Sequence, residues 1–403
     1  MQIEGSDLES NFTKPLLTWF DIHGRKSLPW QNPRTPYRVW ISEIMLQQTQ
    51  VKTVIPYFDR FMERFPEIQD LANASEEEVL AVWSGLGYYS RARNLFKTAQ
   101  IISTQYNGCF PPDHKLLERL PGIGPSTAAA ITSQAFNHPN AILDGNVKRV
   151  LTRYFRVEGF PNQTKTHKKL WDLAQQCMDK YRCADYTQAI MDLGATCCTR
   201  NKPSCGACPV RRTCGAFLHE EVQVFPNKKI KKQLPTKRQQ FILLHTADND
   251  IYLEKRASKG LWGGLWCCPM LDGEQEETFF EQYAEERLGL TVIKWMPLID
   301  FKHSFSHFHL EIQASTLHVQ SPVEKRYGVP TGNDVDLLQV AEPRLNFASR
   351  LADRKQLSEG MNSTRTKVKT LEGRWFNVRA ILDLGIPQPL RRIITSYLSN
   401  RLL

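Results

Sequence analysis

The sequence predicts two domains of different fold class, an all-α domain followed by an α+β domain. The chain has 403 residues, and a single hydrophobic core stops growing at about 250 to 300 residues, so more than one domain is expected. Apolar residues recur at helical spacing in the first half, whereas short runs of strand composition dominate the second. A basic segment interrupted by prolines lies between them.

Composition and charge narrow the classes of partner and compartment. Hydrophobic residues make up 41% of the chain, which indicates a globular protein. The 52 Lys and Arg against 42 Asp and Glu give a net charge of +10, which favours nucleic acid or another anionic surface as partner. The first twelve residues lack the pattern of a signal peptide, and no run of ~18 apolar residues occurs. We therefore expect no membrane association and a bacterial cytoplasmic protein found at the nucleoid.

The all-α domain is predicted over residues 1–224, and a basic linker over 225–238. Helical spacing is clearest at 74–83, 126–136 and 170–178. The α+β domain is predicted over 239–403, with strands at 240–245, 251–255, 308–314 and 375–378 and helices at 277–288 and 390–403. Residues 320–370 are polar and longer than an ordinary connection, so they are predicted to form an insertion.

Four cysteines lie within seventeen residues in the pattern Cys198-x6-Cys205-x2-Cys208-x5-Cys214. Four thiolates can hold zinc or a [4Fe-4S] cluster, and one close pair flanked by single cysteines fits the cluster better than the two close pairs usual for zinc. Arg200 and Lys202 lie in the loop after Cys198. They either contact DNA phosphates or form a solvated basic loop.

Two further segments carry candidate chemistry in the first half. Gly122 and Gly124 form a tight turn before an Ala-rich helix, which is either a plain helix–helix turn or a seat for a DNA phosphate. About twenty residues later, Asp144 precedes a helix that carries Lys148. Asp144 suits an N-cap as well as a catalytic carboxylate, and the two roles can coexist.

A third segment places one acidic residue on an apolar helix. Glu43 interrupts the helical face of residues 40–51. It is either a solvent-facing glutamate or a buried carboxyl whose raised pKa suits a general acid. Gln47 and Gln48 follow, and their amides are groups that read base edges.

Together these motifs resemble the adenine DNA glycosylase (MutY) branch of the helix-hairpin-helix glycosylases. The likeness covers nearly the whole chain and includes Leu28-Pro-Trp-Gln31, Gly85-Leu-Gly-Tyr-Tyr89, Met191-Asp-Leu-Gly194 and the cysteines. In the second half, Gly260-Leu-Trp-Gly-Gly-Leu-Trp266 and the His-rich run 301–309 resemble the Nudix-type recognition domain of this family.

The resemblance implies a role for each matching residue. Glu43 would protonate the leaving adenine at N7, and Asp144 would stabilise the positive charge that develops on the sugar. Gln48 and Tyr88 would fill or wedge the base stack around a flipped adenine. Trp30 and Gln188 would line the adenine pocket, although a plain core role suits Trp30 equally well.

Ser126 stands where the lyase-active relatives of the family carry a lysine nucleophile. A hydroxyl forms no Schiff base, so we expect a monofunctional glycosylase that leaves an abasic site. Lys148 lies close enough in sequence to Asp144 to give adventitious trapping.

The second domain is predicted to recognise a base and not to hydrolyse nucleotides. Aligning Gly289 with the last glycine of the Nudix signature puts Gln282-Tyr283 and Glu286-Arg287 where the cation-binding pairs Arg-Glu and Glu-Glu belong. Phe305, Ser306 and His307 would instead contact 8-oxoguanine, the partner of the adenine. The same His-rich run is also compatible with a metal site or with a strand of plain exposed residues.

The resulting hypothesis is a monomeric enzyme that excises adenine mispaired with 8-oxoguanine or guanine in double-stranded DNA. A pyrimidine-damage glycosylase with lyase activity is disfavoured by Ser126 and the second domain. A catalytically inactive DNA-binding module is disfavoured by the presence of both Glu43 and Asp144. A Nudix pyrophosphohydrolase is the third alternative.

Overall fold

The computed structural model describes residues 5–228, 233–273, 275, 277–320 and 372–401. The insertion predicted at about 320–370 therefore lies outside the described residues, apart from Gln320. Within the described ranges, no helix is both long and apolar enough to cross a membrane.

The described part of the first half consists of helices and connecting turns. Local signals explain where several of them begin: Ser75 and Glu78 form a capping box, and Pro36 and Pro125 occupy first helical turns. The helices are α1 Gly5–Leu8, α2 Lys14–His23, α3 Pro36–Leu46, α4 Val51–Arg64, α5 Ile68–Asn73, α6 Glu76–Trp83, α7 Ser90–Gln105, α8 His114–Glu118, α9 Pro125–Phe136, α10 Gly145–Tyr154, α11 Thr164–Cys177, α12 Cys183–Asp192 and α13 Gly215–Leu218.

The described part of the second half consists of one mixed sheet of seven strands and two helices. Its strands are β1 Thr236–His245, β2 Asp250–Lys255, β3 Trp266–Cys267, β4 Met270–Asp272, β5 Val292–Ser304, β6 His309–Val319 and β7 Gly373–Asn377, and its helices are α14 Glu277–Leu288 and α15 Gln388–Arg401. The strand order is β3-β2-β1-β6-β5, with β4 paired to β1 and β7 to β2. β5 and β6 form an antiparallel hairpin whose tip lies between Ser304 and His309.

The helical half has two hydrophobic cores that meet at α9. Ala128 and Ile131 of α9 pack in a core with α3, α4, α6 and α7, whereas Ala129 and Ala130 pack in a second core with α2, α10, α11 and α12. Small alanines on both faces let α9 lie close to both groups of helices. This arrangement leaves α3 and the start of α10 on opposite sides of a cleft.

The helical and sheet-containing halves are in direct contact through the segment that joins α6 to α7. The Ser84 hydroxyl and the Tyr89 phenol donate to the Ile386 carbonyl, at 3.1 Å and 3.3 Å. Lys255 pairs with Glu77, and Arg93 donates to the Gly263 carbonyl. The segment carrying Tyr88 is therefore fixed from the second domain.

The predicted succession of an all-α half and an α+β half is confirmed, with two differences in detail. β1 begins at Thr236, inside the segment predicted as a linker, because residues 236–240 already pair with β4 or β6. β5, a strand of 13 residues, was not predicted. The sequence placed a strand only after residue 307, whereas the His-rich run spans the end of β5 and the hairpin tip.

Candidate active site and nucleic-acid interface

A cleft between the two helical cores collects six of the predicted site residues. Its volume is about 730 Å³, which is ample for a purine base. The predicted residues in its wall are Trp30, Glu43, Gln47, Ser126, Asp144 and Gln188. They come from segments more than 150 residues apart in the chain, so only the fold brings them together.

Glu43 lies on α3, between buried Ser42 and Ile44, and its side chain is partly exposed to the cleft. The Gln134 amide nitrogen donates to its carboxyl oxygen at 3.4 Å. Burial and the nearby Asp144 carboxylate raise the pKa of Glu43 to about 8, and the Gln134 hydrogen bond opposes this change only in part. Glu43 is therefore protonated at neutral pH, the state that a general acid requires.

Asp144 is the N-cap of α10. Its carboxylate accepts hydrogen bonds from the Val147 amide at 2.7 Å and from the Asn146 side chain at 3.1 Å. Burial raises the pKa of Asp144, and these hydrogen bonds act in the opposite direction. Asp144 therefore has both predicted positions. One carboxyl oxygen caps α10, and the residue also lines the cleft.

The cleft wall combines an apolar side with a polar side. Trp30 is 3% exposed and meets Phe58 edge to face at 5.5 Å, so it has a core role as well as a place in the cleft wall. Gln188 on α12 is also 3% exposed. Its amide nitrogen donates to Asp192 at 2.8 Å, and its amide oxygen is buried without a partner among the described residues.

The turn from α8 to α9 has the geometry of a helical hairpin. Gly122 has φ +79°, and a Cβ there would approach Asn94 Cβ to 2.8 Å, so glycine is required. Gly124 caps the N-terminus of α9. The Ser126 hydroxyl accepts from the Leu143 amide at 3.1 Å, which ties α9 to the residue before Asp144.

Lys148 lies one turn into α10 but is not part of the cleft wall. Its ammonium donates to Asn162 at 2.7 Å. Partial burial lowers the pKa of Lys148, and Asp144 opposes this change. Gly122 and Gly124 do not line the cleft either, whereas Ser126 at the start of α9 does.

Two backbone turns beside the cleft hold Gln48 and Tyr88. Both residues have positive φ, 59° and 51°, a conformation that costs free energy for any residue except glycine. Tyr88 is 46% exposed although it is aromatic. Gln47, by contrast, is part of the cleft wall, and its amide nitrogen donates to the Thr127 hydroxyl at 3.4 Å.

One buried arginine joins these two turns. Arg91 on α7 is 8% exposed. One of its terminal nitrogens donates to the carbonyls of Ile44, Met45 and Gln47 at 2.6 to 2.8 Å. The other donates to Gly87 at 3.1 Å, and more weakly to Leu86 and Thr49. Sequence reasoning missed Arg91, because its partners lie up to 47 residues away.

The four cysteines of the predicted metal site line one cavity, together with Cys197. The described residues nonetheless contain no group of three or more His, Cys, Asp or Glu side chains placed to hold a metal ion. Four sulfur donors around one cavity fit the donor preference of an iron–sulfur cluster. Cys197 donates instead to the Ser204 carbonyl at 3.4 Å, which suits a neighbour and not a ligand.

Arg153 holds the cysteine loop against α10. It is 2% exposed and donates to Cys198 Sγ at 3.3 Å and to the Thr199 carbonyl at 2.7 Å. It also donates to the Arg200 carbonyl at 3.2 Å. Arg153 thus fixes the backbone of this loop, while the side chains of Arg200 and Lys202 are exposed.

Comparison with known proteins identifies the family of this architecture. Residues 41–176 match the HhH-GPD superfamily of base excision DNA repair proteins, and residues 240–396 match the NUDIX domain. Adenine DNA glycosylase from Buchnera aphidicola subsp. Acyrthosiphon pisum is 36% identical over 389 residues, which cover 96% of this chain and 98% of that protein. The chain belongs to the adenine DNA glycosylase family.

More distant members of the adenine DNA glycosylase family also match. The Mus musculus enzyme is 35% identical, with 76% of this chain and 70% of that protein covered, and the Homo sapiens enzyme is 34% identical, with 77% and 68% covered. Among solved structures, a thermostable thymine-DNA glycosylase aligns with a TM-score of 0.49 and 29% identity over 53% of this chain and 98% of that chain. The predicted family and fold class are confirmed by the two domain matches and the adenine DNA glycosylase relatives.

In this adenine DNA glycosylase family member, Phe305, Ser306 and His307 form the tip of the β5–β6 hairpin and do not line the cleft. Phe305 packs against Trp262 and stacks on Phe308, with ring centroids 5.8 Å and 4.5 Å apart. Ser306 and His307 are exposed. The hairpin tip therefore combines a packed aromatic cluster with the exposed polar side chains of Ser306 and His307.

Helix α14 of the Nudix-type domain carries Arg287 at a position where the aligned hydrolase signature has a glutamate. Arg287 of α14 lies 3.3 Å from Glu254, and Glu254 is 4% exposed. Burial raises the pKa of Glu254, with Arg287 acting against this change. Tyr283, on the same helix, lies beside the same carboxylate.

Proposed function

We propose that this protein hydrolyses the N-glycosidic bond of adenine mispaired with 8-oxoguanine or guanine in duplex DNA and leaves an abasic site. The observation that carries the proposal is the pair Glu43 and Asp144 in one cleft, with the pKa of Glu43 raised to about 8. Two carboxyl groups in different protonation states can divide acid catalysis and charge stabilisation between them. Membership of the adenine DNA glycosylase family supports adenine as the base.

Glu43 and Asp144 are proposed as the catalytic residues. The neutral Glu43 acid donates a proton to N7 of adenine, because a protonated purine leaves more readily than an anion. The ionised Asp144 faces the sugar and stabilises the positive charge that develops as the bond breaks. The base reaches this cleft only when it is flipped out of the duplex, at a cost of a few kcal/mol.

The cleft wall supports a role in holding the flipped base. Trp30 offers an apolar ring, and the amide oxygen of Gln188 is a buried acceptor. Adenine carries an amine at position 6 that can donate to such an acceptor. Gln47 lies in the same wall, and Gln48 and Tyr88 stand on strained turns beside it, where they would fill the space that the base leaves.

The exposed hairpin tip is proposed to read the opposite base. Oxidation of guanine at C8 replaces a hydrogen with an oxygen and converts N7 into an N–H donor. The Ser306 hydroxyl both donates and accepts, so it suits this edge. Phe305 and His307 add an aromatic surface on which a base can stack.

DNA phosphates and a cofactor complete the proposed interface. Cys198, Cys205, Cys208 and Cys214 would hold a [4Fe-4S] cluster, which supplies no acid or base to the reaction described above. Arg200, Lys202 and Lys148, with the backbone amides at Gly122 and Gly124, would contact phosphates of double-stranded DNA. Affinity for DNA should fall with rising salt, and replacing Arg200 and Lys202 together by Gln should make the plot of log affinity against log salt less steep by about 2. An unchanged slope would remove both residues from the interface.

The lack of a lysine at position 126 supports a monofunctional enzyme. The Ser126 hydroxyl is already used by the Leu143 amide. Helix α9 therefore supplies no amine to the cleft wall for a Schiff base, and the lysine that does lie in this wall, Lys52, comes from the start of α4.

The test is a single-turnover reaction with duplexes that hold adenine opposite 8-oxoguanine, guanine or thymine. Strand breaks are scored with and without alkali, with Glu43→Gln as the matched inactive control. Breaks that need alkali and form fastest opposite 8-oxoguanine are expected. Release of adenine at equal rates in all three duplexes would contradict the mispair preference. Breaks without alkali would contradict the monofunctional assignment.

A further inference from the structure

The side-chain amide of Gln188 is held in one orientation by Asp192. The two residues are four apart on α12 and face each other across one helical turn. The Gln188 amide nitrogen donates to Asp192 Oδ1 at 2.8 Å. Because a carboxylate only accepts hydrogen bonds, the amide nitrogen and not the oxygen must point towards it.

Asp192 is itself fixed by a buried network of hydrogen bonds from Arg25. It is fully buried. Arg25 donates to Oδ1 from Nε at 2.9 Å and from Nη2 at 2.7 Å, and its backbone amide donates to Oδ2 at 2.7 Å. Two guanidinium nitrogens of Arg25 thus donate to Oδ1, and its backbone N–H donates to Oδ2. Both carboxyl oxygens of Asp192 are therefore acceptors in this network.

The consequence appears at the other end of the Gln188 amide. Its oxygen is buried and has no partner among the described residues, and the residue lines the cleft. Turning the amide over would place its oxygen against Asp192 Oδ1, an oxygen that already accepts hydrogen bonds from Arg25. The network thus presents an acceptor, and no donor, from Gln188 to the cleft.

We propose that Asp192 is a specificity-determining positioning residue, which sets the Gln188 amide so that the cleft admits a 6-aminopurine and rejects a 6-oxopurine. This inference rests on the function proposed above. Adenine carries a donor at position 6, whereas hypoxanthine and guanine carry an acceptor there. An oxygen at position 6 would leave two buried acceptors facing each other, which costs more than a missing hydrogen bond between exposed groups.

The test compares Asp192→Asn with the matched control Arg25→Lys. An Asn side chain has nearly the shape of Asp, and where its amide nitrogen takes the place of Oδ1 it donates towards Gln188, whose amide can then turn. Arg25 also lies in the cleft wall; Lys at this position keeps the positive charge and loses the planar fork, so it weakens the same network without placing a donor against Gln188. Both variants are assayed as full-length, cluster-loaded protein.

The readout is the ratio of single-turnover rates for adenine and hypoxanthine, each opposite 8-oxoguanine, with unsubstituted purine as a reference. In Asp192→Asn the ratio should fall about tenfold or more, the cost of one mismatched buried hydrogen bond. In Arg25→Lys both rates should fall together and the ratio should stay within about twofold of wild type. A parallel fall of both rates in Asp192→Asn would overturn the inference, since it would show a structural role alone.

Two further outcomes separate the inference from the proposed function. If wild type releases no adenine from these duplexes, the proposed function fails. If Asp192→Asn does not fold, Gln188→Met decides the matter, because it leaves the Asp192 and Arg25 pair in place. Its adenine rate should fall to that of purine while its hypoxanthine rate does not fall. An unchanged ratio in Gln188→Met would overturn the inference, since an amide that does not discriminate needs no orientation.

Discussion

Glu43 and Asp144 approach one cleft from opposite helical cores, and the charge of Asp144 adds to the burial that raises the pKa of Glu43 to about 8. Glu43 is therefore protonated at neutral pH. Burial also raises the pKa of Asp144, but the hydrogen bonds that Val147 and Asn146 donate to it act in the opposite direction and favour its ionised form.

The first prediction is that the single-turnover rate of adenine release falls as pH rises through about 8. Above this pH Glu43 loses the proton that it must donate, so the rate should drop about tenfold per pH unit. The measurement is the rate at saturating enzyme between pH 6 and pH 9.5, with DNA affinity measured in parallel. A rate that stays constant to pH 9.5, with affinity unchanged, would contradict a general-acid role for Glu43.

The second prediction concerns stability, since a raised carboxyl pKa destabilises the folded state at high pH. Below pH 4.5 Glu43 is neutral in both states and has no effect. Between pH 4.5 and about 8 only the unfolded chain releases the proton, so stability falls as pH rises, and above 8 the penalty is constant. Glu43→Gln removes this penalty and should stabilise the fold by at least about 1 kcal/mol at pH 8.5.

Thermal unfolding of wild type and Glu43→Gln at pH 4.5 and pH 8.5 checks the second prediction. The gain in Tm should be large at pH 8.5 and small at pH 4.5. Excision should fall at least about 100-fold in the variant. Equal gains at both pH values would show that packing, and not ionisation, is responsible.

The third prediction separates the capping and catalytic roles of Asp144. Asn is as good an N-cap as Asp, so Asp144→Asn should keep the free energy of unfolding while excision falls at least about 100-fold. Asp144→Ala loses the cap and should also cost about 1 kcal/mol of stability. Unfolding by urea and single-turnover excision are measured for both. Equal destabilisation in the two variants would mean that the charge, and not the cap, stabilises α10.

The sequence predicts local features well and long-range ones poorly in this molecule. Glu43 and Asp144 could be predicted as candidate site residues because each stands in a short, distinctive segment, and the structure brings both to one cleft. β5 was missed because Pro297 and a register shift after it break the alternation expected of a strand, which an edge strand tolerates. Arg91 was missed because its partners lie up to 47 residues away, and Asp192 was noted only as part of a motif because its partner Arg25 lies 167 residues away. A helical pattern does not reveal what a buried side chain contacts.

The fourth prediction is that Arg91→Lys impairs excision more than it impairs folding. One planar guanidinium serves the Gln47 turn and the Gly87 turn at once, and an ammonium on a single stem cannot reach both sets of carbonyls. Gln48 and Tyr88 should lose their fixed positions, with a fall of about 10- to 100-fold in single-turnover rate. Lys97→Arg, at an exposed position of the same helix, is the control and should have a smaller effect. Equal effects of the two substitutions would argue against the clamp.

The fifth prediction tests the hairpin tip of the second domain. Ser306→Ala should reduce the preference for 8-oxoguanine over guanine about three- to tenfold, the worth of one hydrogen bond, and should leave the rate opposite guanine nearly unchanged. Ser304→Ala is the matched control, because each serine hydroxyl is hydrogen-bonded to a histidine, Ser304 to His309 at 2.9 Å and Ser306 to His307 at 3.3 Å, but only Ser306 stands at the tip. Affinity and single-turnover rate are measured with both partner bases. A preference that survives in Ser306→Ala, or falls equally in Ser304→Ala, would place recognition of the oxidised base elsewhere in the domain.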